Sequence, residues 1–359
     1  MPSPAPRIRL LPDDLLPWAS RAAGWPQGDC RLDPVTGDAS NRRYFRLSCA
    51  DGPGGAPGKR GSATASAVVM EAPPATEKNG AFVAVHRLLQ EHGVRVPHLL
   101  AADLERGYLL LEDLGDRQLL PLLDACSVGC WYQRARAVLL AIARIAPAGV
   151  VPDYDWTLLA EELGRLPEWF FARLLGLSLG EQERRLLAEL GDCLLDSALT
   201  QPRVLVHRDF HSRNLMVLED DELALIDFQD AVFGPITYDL VSLLRDCYIR
   251  WPREQVEIWA LEQRDALQVA GLLGPVADAA FLRWFDLMGL QRHLKVLGTF
   301  ARLYLRDGKA GYLADLPLVA CYVEEVLGQR GEEPVLARFQ HWWQVVVRPA
   351  IDRQDWARA

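Results

Sequence analysis

The sequence predicts an α+β protein of two lobes, a small β-rich lobe over residues 1–115 and a large helical lobe over residues 116–359. Three observations predict it. Short apolar runs bounded by Gly, Pro and Ser fill the first third; from about Leu119 the apolar spacing lengthens to helical periods; and one β-like island, Arg203 to Phe228, interrupts those helices. A chain of 359 residues exceeds what one hydrophobic core usually organises, so a division is expected.

Arg42 to Leu47 (RRYFRL) and Ala67 to Glu71 (AVVME) read as strands, joined by the Gly-, Pro-, Ser- and Ala-rich stretch Asp51 to Ser66. Asn79 to His92 carries Phe82, Val85, Leu88 and Leu89 at helical spacing, and Gly93 stands where a helix C-terminus favours glycine. Gly107 to Glu112 (GYLLLE) supplies another strand, and Asp113 to Asp116 (DLGD) the turn leaving it. In the island, LMVL and LALI flank the acidic turn Asp220 to Glu222, the pattern of a hairpin. Pro235, Pro252, Pro275, Pro317 and Pro334 then mark starts or breaks among the returning helices, and no internal repeat is present.

Composition excludes several classes. Half the residues are apolar and 24% are charged, the proportions of a globular protein rather than a disordered one. The net charge of −9, without a Lys and Arg cluster, argues against nucleic acid or an anionic membrane as a main partner. No run of about eighteen apolar residues occurs, and the N-terminus MPSPAPRIRLLPDD lacks the apolar stretch of a secretory signal, so the expected location is the cytoplasm. The seven cysteines are odd in number and form no CxxC pair, which reads as free thiols. Cys126 and Cys130 could share a helical face, but no second ligand pair accompanies them.

The chemistry lies in Val206 to Asp230, VHRDFHSRNLMVLEDDELALIDFQD. Asp209, then Asn214 five positions on, then Asp227 beyond the hairpin is the set that phosphoryl transfer from a nucleotide needs. One carboxylate orients the accepting hydroxyl and takes its proton, while an amide oxygen and a second carboxylate hold the magnesium that neutralises phosphate charge. The hairpin places Asn214 and Asp227 at the same end of two paired strands. The bland alternative is a hydrated acidic hairpin beside a buried histidine.

The segment resembles the catalytic loop and metal motif of the protein-kinase-like fold, HRDxxxxN followed by DF. With His211 directly after Phe210, and DFQD in place of DFG, it is most similar to the aminoglycoside phosphotransferase-like family of small-molecule kinases. The resemblance implies a bilobal kinase-like fold that uses ATP and Mg2+. By it Asp209 is the catalytic base, Asn214 and Asp227 are metal ligands, His207 braces the loop, and Arg213 meets the γ-phosphate. Thr36 to Leu47 (TGDASNRRYFRL) resembles the phosphate-covering turn, with Gly37, Ser40, Asn41 and Arg43 as nucleotide-binding candidates. Leu109 to Asp116 falls at the hinge, where Glu112 and Leu114 are expected to meet adenine.

One departure stands out. The fold usually pairs a third-strand lysine with a glutamate of the next helix, and Met70 and Phe82 occupy those approximate positions here. Arg42, Arg43 or Lys78 could meet the phosphates instead, or the register differs by several residues.

The strings GDASNRRYFRL, VVMEAPP, HRDFHSRNLM and MGLQRHLKVLGTFARLY are similar, over about Asp33 to Trp343, to bacterial anomeric amino-sugar kinases. That similarity implies transfer of the ATP γ-phosphoryl group to the C1 hydroxyl of N-acetylmuramate or N-acetylglucosamine, for UDP-sugar synthesis in cell-wall recycling. Such a site asks for polar contacts, an aromatic platform and a cation for a lactyl carboxylate. Asp230, Asp246, Tyr248, Arg250 and Trp251 are wall candidates, and Gln291, Arg292 and Lys295, with Arg302 near the same face, are the basic ones. A surface basic stripe and ordinary core packing are the alternatives for these groups. Asp239 reads as a loop brace. Phosphorylation of an aminoglycoside, choline-like amine or other small alcohol, and nucleotide binding without turnover, are the competing functions. A monomer is expected.

Overall fold

The computed structural model describes residues 10–35, 41–50 and 65–357. By their packing these residues divide into two units, the first drawn from Arg7–Leu119 with Asn214–Asp230, the second from Leu120–Arg213 with Ala231–Ala359.

In the first unit, helix α1 (Leu15–Ala23) precedes strands β1 (Cys30–Val35), β2 (Arg43–Cys49) and β3 (Ala65–Glu71), then helix α2 (Asn79–Glu91) and strands β4 (Leu99–Asp103) and β5 (Tyr108–Glu112). The strands form one antiparallel sheet in the order β1-β2-β3-β5-β4. Alternation along the strands turns Phe45, Leu47, Ala67, Val69, Tyr108 and Leu110 to one face, where Leu15, Trp18 and Ala19 of α1 complete a core. Helix α2 ends at Glu91, and Gly93 follows at φ 75°, the left-handed conformation that glycine adopts without strain. Sequence reasoning missed α1, β1 and β4. The two strands are the sheet's edges, and their side chains are half-buried or exposed, so they carry little apolar alternation.

Four short strands follow in the chain: β6 (Arg203–Val206), β7 (Leu215–Val217), β8 (Leu223–Leu225) and β9 (Val232–Pro235). The predicted hairpin is β7 paired with β8, turning through Asp221 at φ 60°. It packs with the first unit rather than with the helices around it in sequence. The Leu119 N–H donates to the Leu215 carbonyl (2.8 Å), the Val217 N–H to Arg117 (2.7 Å) and the Leu225 N–H to Arg95 (2.8 Å). A single cut near residue 115 therefore differs from the observed units by this hairpin, which backbone hydrogen bonds tie to the end of the sheet.

The second unit is helical: α3 (Val128–Ala143), α4 (Trp156–Leu163), a π-helical segment Leu166–Leu174, α5 (Glu181–Leu199), α6 (Tyr238–Leu244), α7 (Arg253–Val269), α8 (Asp278–Asp307), α9 (Leu316–Gln329), α10 (Pro334–Trp342) and α11 (Arg348–Asp352). Pro252 caps α7, while Pro317 and Pro334 sit in the first turns of α9 and α10, where a missing N–H costs nothing. Strands β6 and β9 pair antiparallel. Helix α8 runs through the core, with residues 285–298 almost continuously buried. At Gly298 a Cβ would stand 2.7 Å from the Leu166 backbone nitrogen, so only glycine lets α8 approach the π-helical segment this closely. Gly234 of β9 similarly leaves room for Tyr154, whose Cβ would lie 2.8 Å from an added Cβ.

Candidate active site

The loop after β6 carries the first part of the site. Asp239, at the start of α6 and 6% exposed, accepts the backbone N–H groups of His207 (2.6 Å) and Arg208 (2.9 Å). The His207 ring, fully enclosed, accepts the Asp209 N–H through Nδ1 (3.2 Å) and meets Phe210 edge-on. Arg208 is thereby held at φ 78°, a left-handed conformation that a non-glycine residue keeps only when its surroundings impose it. Its side chain turns onto Glu162 of α4, which is 0% exposed and also bonds the Tyr154 hydroxyl and Lys295 Nζ (3.0 Å). Lys295, from α8, donates in addition to the Tyr238 hydroxyl (3.0 Å). Burial alone would push the Asp209 carboxyl up, but the charges of Lys295, His211, Arg208 and Arg292 oppose it and hold the pKa at about 2. Burial raises Asp239 to about 7, against the pull of its two backbone donors. Asp209 is thus kept ionised by a buried cationic frame.

Farther along the loop, Asp246 is fully buried and accepts from the Ser212 N–H (3.0 Å), the Ser212 hydroxyl (2.5 Å) and the Tyr248 N–H (3.1 Å). Asp246, expected on the substrate wall, has its carboxylate engaged by Ser212 and Tyr248. Lys295 is likewise engaged with Glu162 and Tyr238 rather than lining an open wall. The Arg213 guanidinium lies 3.5 Å from the centroid of the Tyr248 ring, a cation–π contact, and His211 meets the same ring edge-on at 5.3 Å. Arg292 is 3% exposed and donates to the soft Cys247 sulfur (3.5 Å), while its charge acts on Asp209. Gln291 is fully buried, and the structure offers no physical account of its two polar atoms.

The hairpin carries the second part, in the first unit. Leu215 pairs with Leu225, and the Ile226 N–H donates to the Asn214 carbonyl (3.1 Å), so Asn214 and Asp227 leave the same end of β7 and β8. Asp227 has φ 65°. Gln229, which sequence reasoning passed over, donates to Asp227 (2.7 Å) and Asp230 (3.4 Å). The buried Phe228 ring packs on Phe82 of α2 at 4.9 Å. Asn214 and Asp227 offer hard oxygen donors, which suit magnesium held by few protein ligands and completed by phosphate and water. Among the described residues no cluster of three or more His, Cys, Asp and Glu forms a dedicated metal cage.

The sheet carries the third part. Of the phosphate-turn candidates, Gly37 and Ser40 lie outside the described residues. The Asn41 N–H donates to Glu77 (3.3 Å), and Arg42 pairs with the same carboxylate at 3.0 Å, both side chains nearly buried. Arg43 is engaged with Glu71 (2.7 Å), the Phe45 ring and the Leu10 carbonyl, which places it on the face α1 covers. Met70 is 0% exposed. Glu112 takes a bidentate pair from Arg95 (2.8 and 2.5 Å) and the His98 N–H (3.0 Å), so its carboxylate is structural. Leu114 sits in the following turn, which Arg46 clamps by bonding Asp113 (2.7 and 3.1 Å) and Asp116 (2.8 and 3.1 Å). The pattern that could have revealed this clamp is the pair of acids in DLGD facing a strand arginine.

The class of the protein is a phosphotransferase: residues 31–284 match the phosphotransferase enzyme family, and the chain belongs to it. Its relatives are more particular. It is 42% identical over 301 residues to the N-acetylmuramate/N-acetylglucosamine kinase of Pseudomonas putida, covering 84% of this chain and 85% of that protein. It is 41% identical to the kinase of that name from Pseudomonas aeruginosa (89% and 91% covered), and 39% identical to that of Neisseria meningitidis (84% and 87%). Solved structures share the fold: a Plasmodium vivax ethanolamine kinase (TM-score 0.58, 10% identity, 83% of each chain) and the ADP-bound aminoglycoside phosphotransferase APH(2'')-Ib (TM-score 0.56, 12% identity, 88% and 99%). Among the described residues no helix is long and apolar enough to cross a membrane.

Proposed function

We propose that this protein is an ATP-dependent sugar kinase that transfers the γ-phosphoryl group to the anomeric C1 hydroxyl of N-acetylmuramate and N-acetylglucosamine, feeding UDP-sugar synthesis in cell-wall recycling. The observation that carries it is identity of about two residues in five, over more than four fifths of the chain, to kinases bearing those substrates' names. The family match and the conjunction of Asp209, Asn214 and Asp227 support the reaction type.

The residues then divide the work. Asp209, ionised and fixed by His207 and Asp239, accepts a hydrogen bond from the sugar hydroxyl and receives its proton as the phosphoryl group transfers. A carboxylate held at about 2 is a weak ground-state base, so its contribution is orientation and late proton acceptance. Asn214 and Asp227 would hold magnesium, which neutralises the phosphate charge that develops in transfer. Glu112 and Leu114 mark the hinge strand that meets adenine, Arg213 reaches the γ-phosphate, and Asp230 borders the substrate. Arg292, buried and donating to the Cys247 thiol, supplies the cation for the lactyl carboxylate of N-acetylmuramate.

The test is proton and phosphorus NMR of the product formed from ATP and N-acetylmuramate. Phosphate on C1 is expected, and phosphate on another carbon, or no product with either sugar, overturns the assignment. Arg292→Ala should raise KM for N-acetylmuramate more than for N-acetylglucosamine; equal effects would remove Arg292 from carboxylate recognition.

A further inference from the structure

We propose that Arg42, oriented by Glu77, is the cation of the first unit that meets the phosphates of bound ATP, in place of the third-strand lysine that kinase-like folds usually carry. The inference deepens the ATP-dependent reading above and rests on it. Neither residue at the usual ion-pair positions can serve. Met70 is enclosed in the sheet between Tyr44 and Leu109, and Phe82 is given to the Phe228 ring. Arg43 lies with Phe45 on the α1 face, paired to Glu71, and Lys78 is exposed at the start of α2.

Arg42 differs from these in burial and in company. Its side chain is 6% exposed and that of Glu77 is 9% exposed, at 3.0 Å. One Glu77 carboxylate holds both the Arg42 guanidinium and the Asn41 N–H, and so joins the start of β2 to the approach to α2. The lysine–glutamate pair of the fold makes the same kind of connection, from strand to helix. An enclosed ion pair contributes little net stability once its desolvation is counted, so stability alone does not account for it. Position agrees as well. Arg42 directly precedes β2, and continuing the strand's alternation by one residue puts it on the same face as Arg46, four residues away and about 13 Å along at ~3.3 Å per residue. Arg46 clamps the hinge turn at Asp113 and Asp116. A nucleoside triphosphate laid along this face, base toward the hinge turn, carries its phosphates to Arg42.

The test measures binding of Mg-ATP and of adenosine to the full chain by calorimetry, for wild type, Arg42→Met, Arg42→Lys and Glu77→Gln. Arg42→Met should weaken ATP at least about tenfold while adenosine changes less than about twofold, since only ATP loses a charge-assisted contact. Arg42→Lys should recover most of that loss, and Glu77→Gln should fall between, with KM for ATP rising and KM for the sugar unmoved. Unchanged ATP affinity in Arg42→Met overturns the proposal. Equal loss for ATP and adenosine also overturns it, by showing a purely structural role. Wild type that binds ATP but phosphorylates no amino sugar would sink the proposed substrate and leave the Arg42 comparison readable; wild type that binds no ATP would sink both.

Discussion

The Phe228 ring rests against Phe82 with centroids 4.9 Å apart, and His86 stands 6.0 Å from Phe228 on the same helix face. The residue after Asp227 is thereby anchored to α2, at the place where the sequence offers an aromatic instead of the usual glutamate. An apolar contact thus ties the β7–β8 hairpin to α2. Burial of an aromatic pair is less sensitive to ionic strength than an ion pair would be.

Phe228→Ala should cost roughly 3–5 kcal/mol of stability, because Phe228 is fully enclosed and the cavity cannot collapse onto a flat ring partner. Urea unfolding measures the loss. The same variant should need more magnesium for half-maximal turnover; a stability loss with an unaltered magnesium requirement would show that the contact does not position Asp227.

Asp209→Asn should lower turnover by roughly 10²–10⁴-fold with KM for ATP nearly unchanged, since the amide keeps the shape but accepts no proton. In wild type the Asp209 carboxyl sits at about 2, so the kcat profile should show no acid limb from this group between about pH 5 and 8. An acid limb that disappears in Asp209→Asn would contradict the depressed pKa.

Stability at low pH has a definite sign. The folded pKa of Asp209 lies below its unfolded value of ~3.9, so its contribution is complete above that value and is lost as pH falls through about 2. Acid titration of unfolding should therefore be shallower for Asp209→Asn between pH 4 and 2 than for wild type, by about the protons that this one group takes up.

Lys295→Met removes one cation from the Glu162 cluster and leaves a 0% exposed carboxylate with Arg208 alone for charge. A loss of about 3 kcal/mol is expected in thermal or urea unfolding. The Asp209 pKa should rise as well, visible as a new acid limb in kcat/KM.

Arg46→Leu should raise KM for ATP while kcat stays near wild type, because the clamp on Asp113 and Asp116 shapes the turn proposed to meet adenine rather than the residues proposed for the chemistry. Asp116 is solvated, but Asp113 is 7% exposed and would lose its partner, so unfolding should register about 1–3 kcal/mol. A drop in kcat at unchanged KM would place Arg46 in the chemistry instead.

Much of the candidate site was legible as a pattern because its information is local. Asp209, Asn214 and Asp227 lie at fixed offsets around one hairpin, and strand pairing of Leu215 with Leu225 follows from the turn between them. The supports were not legible. Glu162, Tyr154 and Lys295 come from three separate segments, and nothing in their own sequence neighbourhoods says that they converge on Arg208. Asp246 and Arg43 show the same limit: each has a partner from a distant segment, Ser212 and Glu71, that its own sequence neighbourhood does not announce.

By itself the sequence determined the class of chemistry and marked the residues proposed to perform it, because short-range spacing and turn geometry dictate which side chains share a hairpin end. Only the tertiary structure decided which charges stand behind them. A buried carboxylate such as Asp209 is ionised or neutral according to the sum of distant charges in a poorly screened interior, and that sum depends on how α4, α6 and α8 pack, not on the order of residues along the loop.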